Sequence, residues 1–258
     1  MPRTLSQLTI PYPEQQPPTE PLSPACFAQK LIAWYQAHKR DLPWRATRDP
    51  YKIWLSEIIL QQTRVTQGLP YYQRFIAANP TVTDLAHASE EEVMRLWQGL
   101  GYYARARNMH ACACTVATEL GGEFPDNYEG LLQLRGIGKY TAAAIAAIAF
   151  QAPVPAVDGN VYRVLARIFG VDADIGSTQG MRVFADLARS LVPQQHADTY
   201  TQAIMEFGAL HCTPAKPQCL SCPFKNHCVA FHTQRQHALP VKSKKPKVQQ
   251  RYFYYFVL

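Results

Sequence analysis

The sequence contains no run of about 18 apolar residues, the least that a membrane-spanning helix uses, which excludes such a span. Its first residues lack the apolar core of a secretory signal. No convincing alternation of apolar and polar residues occurs before the last eight positions, so strands have no place in the body of the chain. No segment recurs at a solenoid or propeller spacing. Acidic residues are the minority charge: 19 Asp and Glu stand against 26 Lys and Arg, a net charge of +7 with an isoelectric point near 9.0. That balance favours an acidic partner such as nucleic acid. With no secretory signal, the expected setting is a reducing cytoplasm, where the seven cysteines are free or metal-bound rather than paired.

What the chain does contain is helical periodicity. Its 258 residues predict two lobes or one large domain. Residues 1–24, rich in Pro, Gln, Thr and Ser, read as a flexible tail. A helical pattern begins at Cys26 and ends near His38, and Leu42-Pro43-Trp44-Arg45 reads as an extended connector. Further helices are expected over Asp49–Thr63, Tyr71–Ala78 and Thr83–Ala88. Ser89 caps another, with Glu90, Glu91 and Glu92 in its first turn, and that helix stops at Gly99-Leu100-Gly101. Ala104–Leu120 is helical again and closes on Gly121-Gly122. The predicted fold class is all-α.

Two carboxyls stand out. Val154-Pro155-Ala156-Val157 is an extended apolar run. It turns helical at Val161, Val164, Leu165 and Ile168, with Asp158 at the N-cap. A carboxylate there accepts backbone N–H bonds and faces the positive helix end, so it is expected to stay ionised. Helix capping alone also accounts for it. Glu57 is the one carboxyl within a wide apolar helix formed by Tyr51, Trp54, Leu55, Ile58 and Ile59. Desolvation there should raise its pKa and favour the neutral acid. Two carboxyls whose pKa values are driven apart suit cleavage of a glycosidic bond. An exposed helix-surface Glu57 is the plain alternative.

Tyr128–Gly138 followed by Lys139–Ile145 reads as helix, tight Gly-x-Gly hairpin, helix. Gly136 and Gly138 allow unusual backbone shapes. They present N–H groups at the start of the second helix, a place that suits phosphate, with Lys139 beside it. A plain helix–helix connection remains open. Cys212, Cys219, Cys222 and Cys228 follow a C-x6-C-x2-C-x5-C pattern. Zinc sites usually pair two short arms. One short arm favours an all-thiolate iron–sulfur cluster. Cys26, Cys112 and Cys114 read as buried free thiols.

In combination, the hairpin, Val157-Asp158-Gly159-Asn160 and the four cysteines resemble the helix-hairpin-helix DNA glycosylase superfamily. Leu42-Pro43-Trp44, Ser56-Glu57, Leu60-Gln61-Gln62-Thr63 and Gly99-Leu100-Gly101-Tyr102-Tyr103 resemble its MutY-type adenine DNA glycosylases. The likeness runs from about residue 27 to 230. It implies a six-helix barrel over residues 46–154 and a discontinuous lobe, residues 25–45 with 155–232, that holds a 4Fe-4S cluster on the four cysteines. It implies a partner, double-stranded DNA with adenine opposite 8-oxoguanine or guanine, and a monomer acting at the nucleoid of a bacterium. Adenine would be flipped out of the stack. Glu57 would protonate it at N7, and Asp158 would stabilise the sugar cation or bond to it. Tyr140 and Asn160 match positions that order this site. Gln62 and Tyr102 match residues that enter the stack, and Arg45, Gly136, Gly138 and Lys139 complete the expected DNA contacts.

There are departures. Arg135 replaces the usual hairpin proline, and Tyr162 stands where some members carry lysine. Residues 233–258 resemble a basic linker and the first strand of a missing C-terminal recognition domain. An endonuclease III-like lyase needs a nucleophilic lysine where Tyr140 stands, and Lys139 is one residue off. A non-catalytic DNA-binding module gains little from a buried carboxyl.

Overall fold

The structure, a computed structural model, describes residues 21–243. The expected strand at 251–258, most of the basic run at 242–247 and most of the N-terminal tail lie outside the described residues. Within them the chain forms α1 (Pro24–His38), α2 (Pro50–Leu60), α3 (Val65–Ala78), α4 (Val82–His87), α5 (Glu90–Trp97) and α6 (Ala104–Glu119). Then come α7 (Tyr128–Leu132), α8 (Lys139–Phe150), α9 (Gly159–Phe169), α10 (Thr178–Leu191), α11 (Ala197–Leu210) and α12 (Val229–His232), with no strand among the described residues.

Local chemistry explains most of the starts. Ser23, Asp49, Asn127, Asp158 and Ser177 each accept a backbone N–H of the first turn through their side chains, filling donors that a helix leaves open. Pro24 and Pro50 occupy first-turn positions where no N–H is needed. Thr81 with Asp84 and Ser89 with Glu92 make reciprocal capping boxes.

Three local expectations change. Leu42–Arg45 is not extended: Pro43–Arg45 forms a 3₁₀ turn that buries Trp44 against Tyr72, ring centroids 5.0 Å apart. The third helix begins at Val65 rather than Tyr71 and carries Pro70 inside it. Val65, Leu69, Tyr72 and Phe75 recur at helical spacing and pack on one core, and that burial outweighs the proline's lost hydrogen bond. Of the three leftover cysteines only Cys112 is buried; Cys26 and Cys114 are half-buried.

Two cores result. Trp54, Ile59, Phe75, Leu85, Trp97 and Ile145, from α2 to α8, centre the first. Phe27, Leu31, Leu165, Phe184, Phe207 and Phe224 centre the second, so α1 returns to pack with α9, α10 and α11. Leu42 and Trp44 belong to the first core, so the chain leaves the second lobe between His38 and Leu42. Ala156 lies in the first core and Val161 in the second. The second crossing therefore falls on the segment that carries Asp158. Met205 of α11 packs against both cores.

Candidate active site

Between the lobes lies a cleft of about 540 Å³ whose walls include Glu57, Tyr140, Asp158, Asn160, Arg45 and Gln62. Glu57 projects from α2, which is otherwise buried on most sides. Burial pushes its carboxyl from the ordinary 4.5 up to about 7; the Tyr140 hydroxyl opposes that rise and the Asp158 charge adds to it. This is the direction expected of a proton donor held among apolar groups.

Asp158 caps α9 as predicted. One carboxyl oxygen accepts the Val161 N–H at 2.8 Å and the other accepts Asn160 Nδ2 at 2.7 Å. The expectation that capping keeps its pKa low needs correction. Burial is the largest influence and raises it, against the bonds from Val161 and Asn160 and the charge of Arg163. The N-cap supplies donors to the anion, but the cleft strips away water. Tyr140, at the start of α8, has its phenol pushed well above its usual value by burial and by both carboxyls. Its hydroxyl donates to Met205 Sδ at 3.1 Å.

Gln62, on the cleft wall, and Tyr102, in the neighbouring hollow, share an unusual backbone. Their φ angles are 56° and 47°, a left-handed conformation that residues with a Cβ adopt at a cost. Tyr102 is 70% exposed. Gln62 also lines a second, open hollow of about 470 Å³ together with Tyr102 and Arg105, so it forms the ridge between two depressions. In the hairpin only Gly136 needs its freedom, with φ of 80° and Asn108 Cβ 2.9 Å from where a side chain would start. Gly138 has an ordinary φ of −91° and caps α8 without a side chain, leaving first-turn N–H groups available. Lys139 is exposed and lies outside the cleft wall.

Arg45 is placed differently from expectation. Its guanidinium grips Glu206 of α11 through two bonds of 2.7 and 2.6 Å, so it braces the cleft floor instead of standing free for DNA. Arg40 adds bonds to the same carboxylate at 2.8 and 2.5 Å. Glu206 is 1% exposed, yet its pKa falls to about 2, because these donors outweigh burial. Only the fold brings this triad together, across 161 to 166 residues.

Arg163 and Arg167 of α9 were also missed. Arg163 donates to Asn160 Oδ1 at 2.8 Å, to Gly208 O at 2.7 Å and to Cys212 O at 2.7 Å. α9 and α11 approach so closely here that a Cβ on Gly208 would meet Asn160 Cβ at 2.6 Å. Arg167 donates to Thr213 O at 2.7 Å and Pro214 O at 3.0 Å. The available signal was two arginines one turn apart on an otherwise apolar helix face, an arrangement that buried helices hold only for paired groups.

Cys212, Cys219, Cys222 and Cys228 line one small pocket, with Arg167, Phe207 and His211 in its wall. Cys212 and Cys228 are buried, and Cys219 and Cys222 half-buried. Burial pushes the Cys222 thiol up to about 12 and the Cys228 thiol to about 11, and raises Cys219 as well. Thiolates at such positions require a cationic group among them. Among the described residues no three His, Cys, Asp or Glu side chains are arranged around one metal ion. The donor set, four sulfurs round one pocket without a carboxylate, suits a soft, thiolate-binding metal group.

The family model described as "HhH-GPD superfamily base excision DNA repair protein" matches residues 55–190. The adenine DNA glycosylase of Mus musculus is 42% identical over 233 residues, covering 87% of this chain and 45% of that protein. The chain thus spans less than half the length of this relative. The adenine DNA glycosylase of Buchnera aphidicola from Acyrthosiphon pisum is 33% identical over 233 residues, 90% of this chain and 67% of the relative. Among solved structures, a thermostable thymine-DNA glycosylase superposes with a TM-score of 0.72 at 29% identity, over 81% of this chain and 96% of that one. The chain belongs to the HhH-GPD superfamily of base excision DNA repair proteins, within its adenine DNA glycosylase family.

Proposed function

We propose that the chain hydrolyses the N-glycosidic bond of adenine paired with 8-oxoguanine or guanine in duplex DNA. The observation that carries this is the shared cleft of Glu57 and Asp158, with Glu57 pushed to about 7. Adenine leaves poorly as an anion, so a carboxylic acid near neutral pKa is the right donor to N7. As the bond breaks, positive charge grows on the sugar. Asp158, with Asn160 and the Val161 N–H holding its oxygens in place, meets that charge or bonds to it. Gln62 and Tyr102 occupy the gap the flipped base leaves, and the Gly136–Lys139 hairpin seats a backbone phosphate on the open N-terminus of α8. The whole acts as a monomer at the bacterial nucleoid. No helix among the described residues is long and apolar enough to cross a membrane.

Cys212, Cys219, Cys222 and Cys228 would hold a 4Fe-4S cluster. When bound, such a cluster cross-links its loop and compensates four thiolate charges. The loop then keeps Lys216 and Lys225 facing DNA.

Release of adenine without strand breakage is part of the proposal, because a phenol at position 140 cannot form a Schiff base with the sugar. Incubation with a duplex carrying adenine opposite 8-oxoguanine should yield a product that breaks only after hot alkali. Breakage without alkali would favour the lyase reading, and an intact duplex after both treatments would favour a binding module.

A further inference from the structure

Arg105 stands outside the catalytic cleft, yet it bonds the turn that leads into Gln62 and lies beside Tyr102. It is the second residue of α6. Its Nη1 donates to Gln61 O at 2.7 Å and Ile58 O at 3.0 Å, with Ile59 O at 3.4 Å. These are carbonyls at the C-terminal end of α2, where a helix runs out of its own donors and where a cation is favoured. The chain itself supplies two bonds there, both from Thr63: its N–H to Leu60 O at 3.2 Å and its hydroxyl to Gln61 O at 3.3 Å. The guanidinium also lies over the Trp97 ring at 5.0 Å and the Tyr102 ring at 5.7 Å. One planar cation therefore ties the turn bearing Gln62 to the residue bearing the exposed phenol, and both of those backbones are left-handed. Its Nη2 is buried with no hydrogen-bond partner. An unpaired buried N–H is costly, and a group that tolerates it is being held for its other contacts.

We propose that Arg105 is a positioning residue for base extrusion: it locks Gln62 and Tyr102 as one preformed wedge, so that the duplex is opened without first ordering either side chain. This rests on the proposed adenine excision and goes beyond it, because Arg105 touches neither carboxyl. Lysine is no substitute. A single ammonium cannot bond the α2 carbonyls and at the same time reach two rings.

The test uses Arg105→Lys and Arg105→Ala in the full chain. One duplex carries adenine opposite 8-oxoguanine, and a second carries 2-aminopurine in place of adenine as a fluorescent reporter of unstacking. Wild-type excision is the control: its absence would overturn the proposed function and not the role of Arg105. Given wild-type excision, each variant should lose roughly 10- to 100-fold in single-turnover rate, and the fluorescence rise should fall in parallel. The pH dependence should keep its wild-type midpoint, which a disturbed Glu57 would not. Should Arg105→Ala fail to fold, Arg105→Lys keeps both the guanidinium's charge and its stem and carries the test. Combined with Gln62→Ala, Arg105→Lys should cost less than the product of the two single losses, as residues acting through one wedge must. Wild-type rates in Arg105→Lys, slow excision with undiminished unstacking, or fully multiplicative losses would each overturn the assignment.

Discussion

Glu57 lends itself to a quantitative test, because one number links its burial to the rate. With its pKa raised from 4.5 to about 7, about half of the carboxyls carry a proton at pH 7, against about 0.3% at the ordinary value, a gain of about 150-fold in competent acid. Single-turnover excision at saturating enzyme should therefore be level just below about pH 6, until protonation of Asp158 cuts it in more acid solution, and fall tenfold per pH step well above 7. Glu57→Gln should remove about a hundredfold or more of the rate and abolish that limb. The sign of the Tyr140 contribution gives a sharper check. Its hydroxyl holds the Glu57 pKa down, so Tyr140→Phe should move the falling limb to higher pH. The same shift governs stability. The folded state binds this proton more tightly than the unfolded chain, so the contribution of Glu57 to stability is fully present below pH 4.5 and is lost as pH climbs to about 7, by about 3 kcal/mol in all. Glu57→Gln has no such decline. It should gain in melting temperature over wild type at pH 8 and little at pH 5. A rate that stays flat from pH 6 to 9, or that is already falling with rising pH at pH 5, would refute the assignment of Glu57 as the acid.

Glu206→Ala should lose about 3–5 kcal/mol of folding stability in denaturant titrations, because Arg40 and Arg45 would face each other without a counter-charge; a loss below about 1 kcal/mol would show that the triad is not holding the cleft floor. Purified protein should be brown with about four irons per chain, and Cys219→Ser should lose colour and duplex affinity together; stoichiometric zinc in colourless protein would replace the cluster. Tyr140→Lys should add strand cleavage and a borohydride-trappable complex through an amine facing the cleft. Trapping of the wild type through Lys139 would instead return the endonuclease III-like reading.

Much of the fold was written in short-range chemistry. Ser89, Asp49 and Asp158 announce helix starts because an N-cap is satisfied within three residues. Gly136 announces the hairpin because its φ of 80°, with Asn108 Cβ 2.9 Å from where a side chain would start, favours glycine. What stayed hidden depends on partners far along the chain. Trp44 turns inward because Tyr72 is there to meet it, and nothing between Leu42 and Arg45 says so. Pro70 marks a break in any local rule, and only the packed face of α3 overrides it. Arg40 and Arg45 look like free basic residues until α11 brings Glu206 between them, after which their charge belongs to the scaffold.

Asp158 shows why the two carboxyls were unequally legible. For Glu57, the apolar residues of its own helix already mark a buried setting, so the direction of its pKa could be read from residues 51 to 61. For Asp158, the stabilising bonds are local: Asn160 and Val161 are two and three residues away. The desolvation is not. It comes from α8 and α11, which close the cleft around it, with Gly208 permitting the approach of α11 to the start of α9. A reading confined to the neighbourhood therefore counts the donors and misses the burial. The consequence is functional. Under the proposed reaction, a solvated N-cap carboxylate would be screened from a cation forming on the sugar, whereas one poor in water and held by fixed donors would interact with that cation more strongly. The same helix bond that looked like simple capping lowers the Asp158 pKa against the burial that raises it.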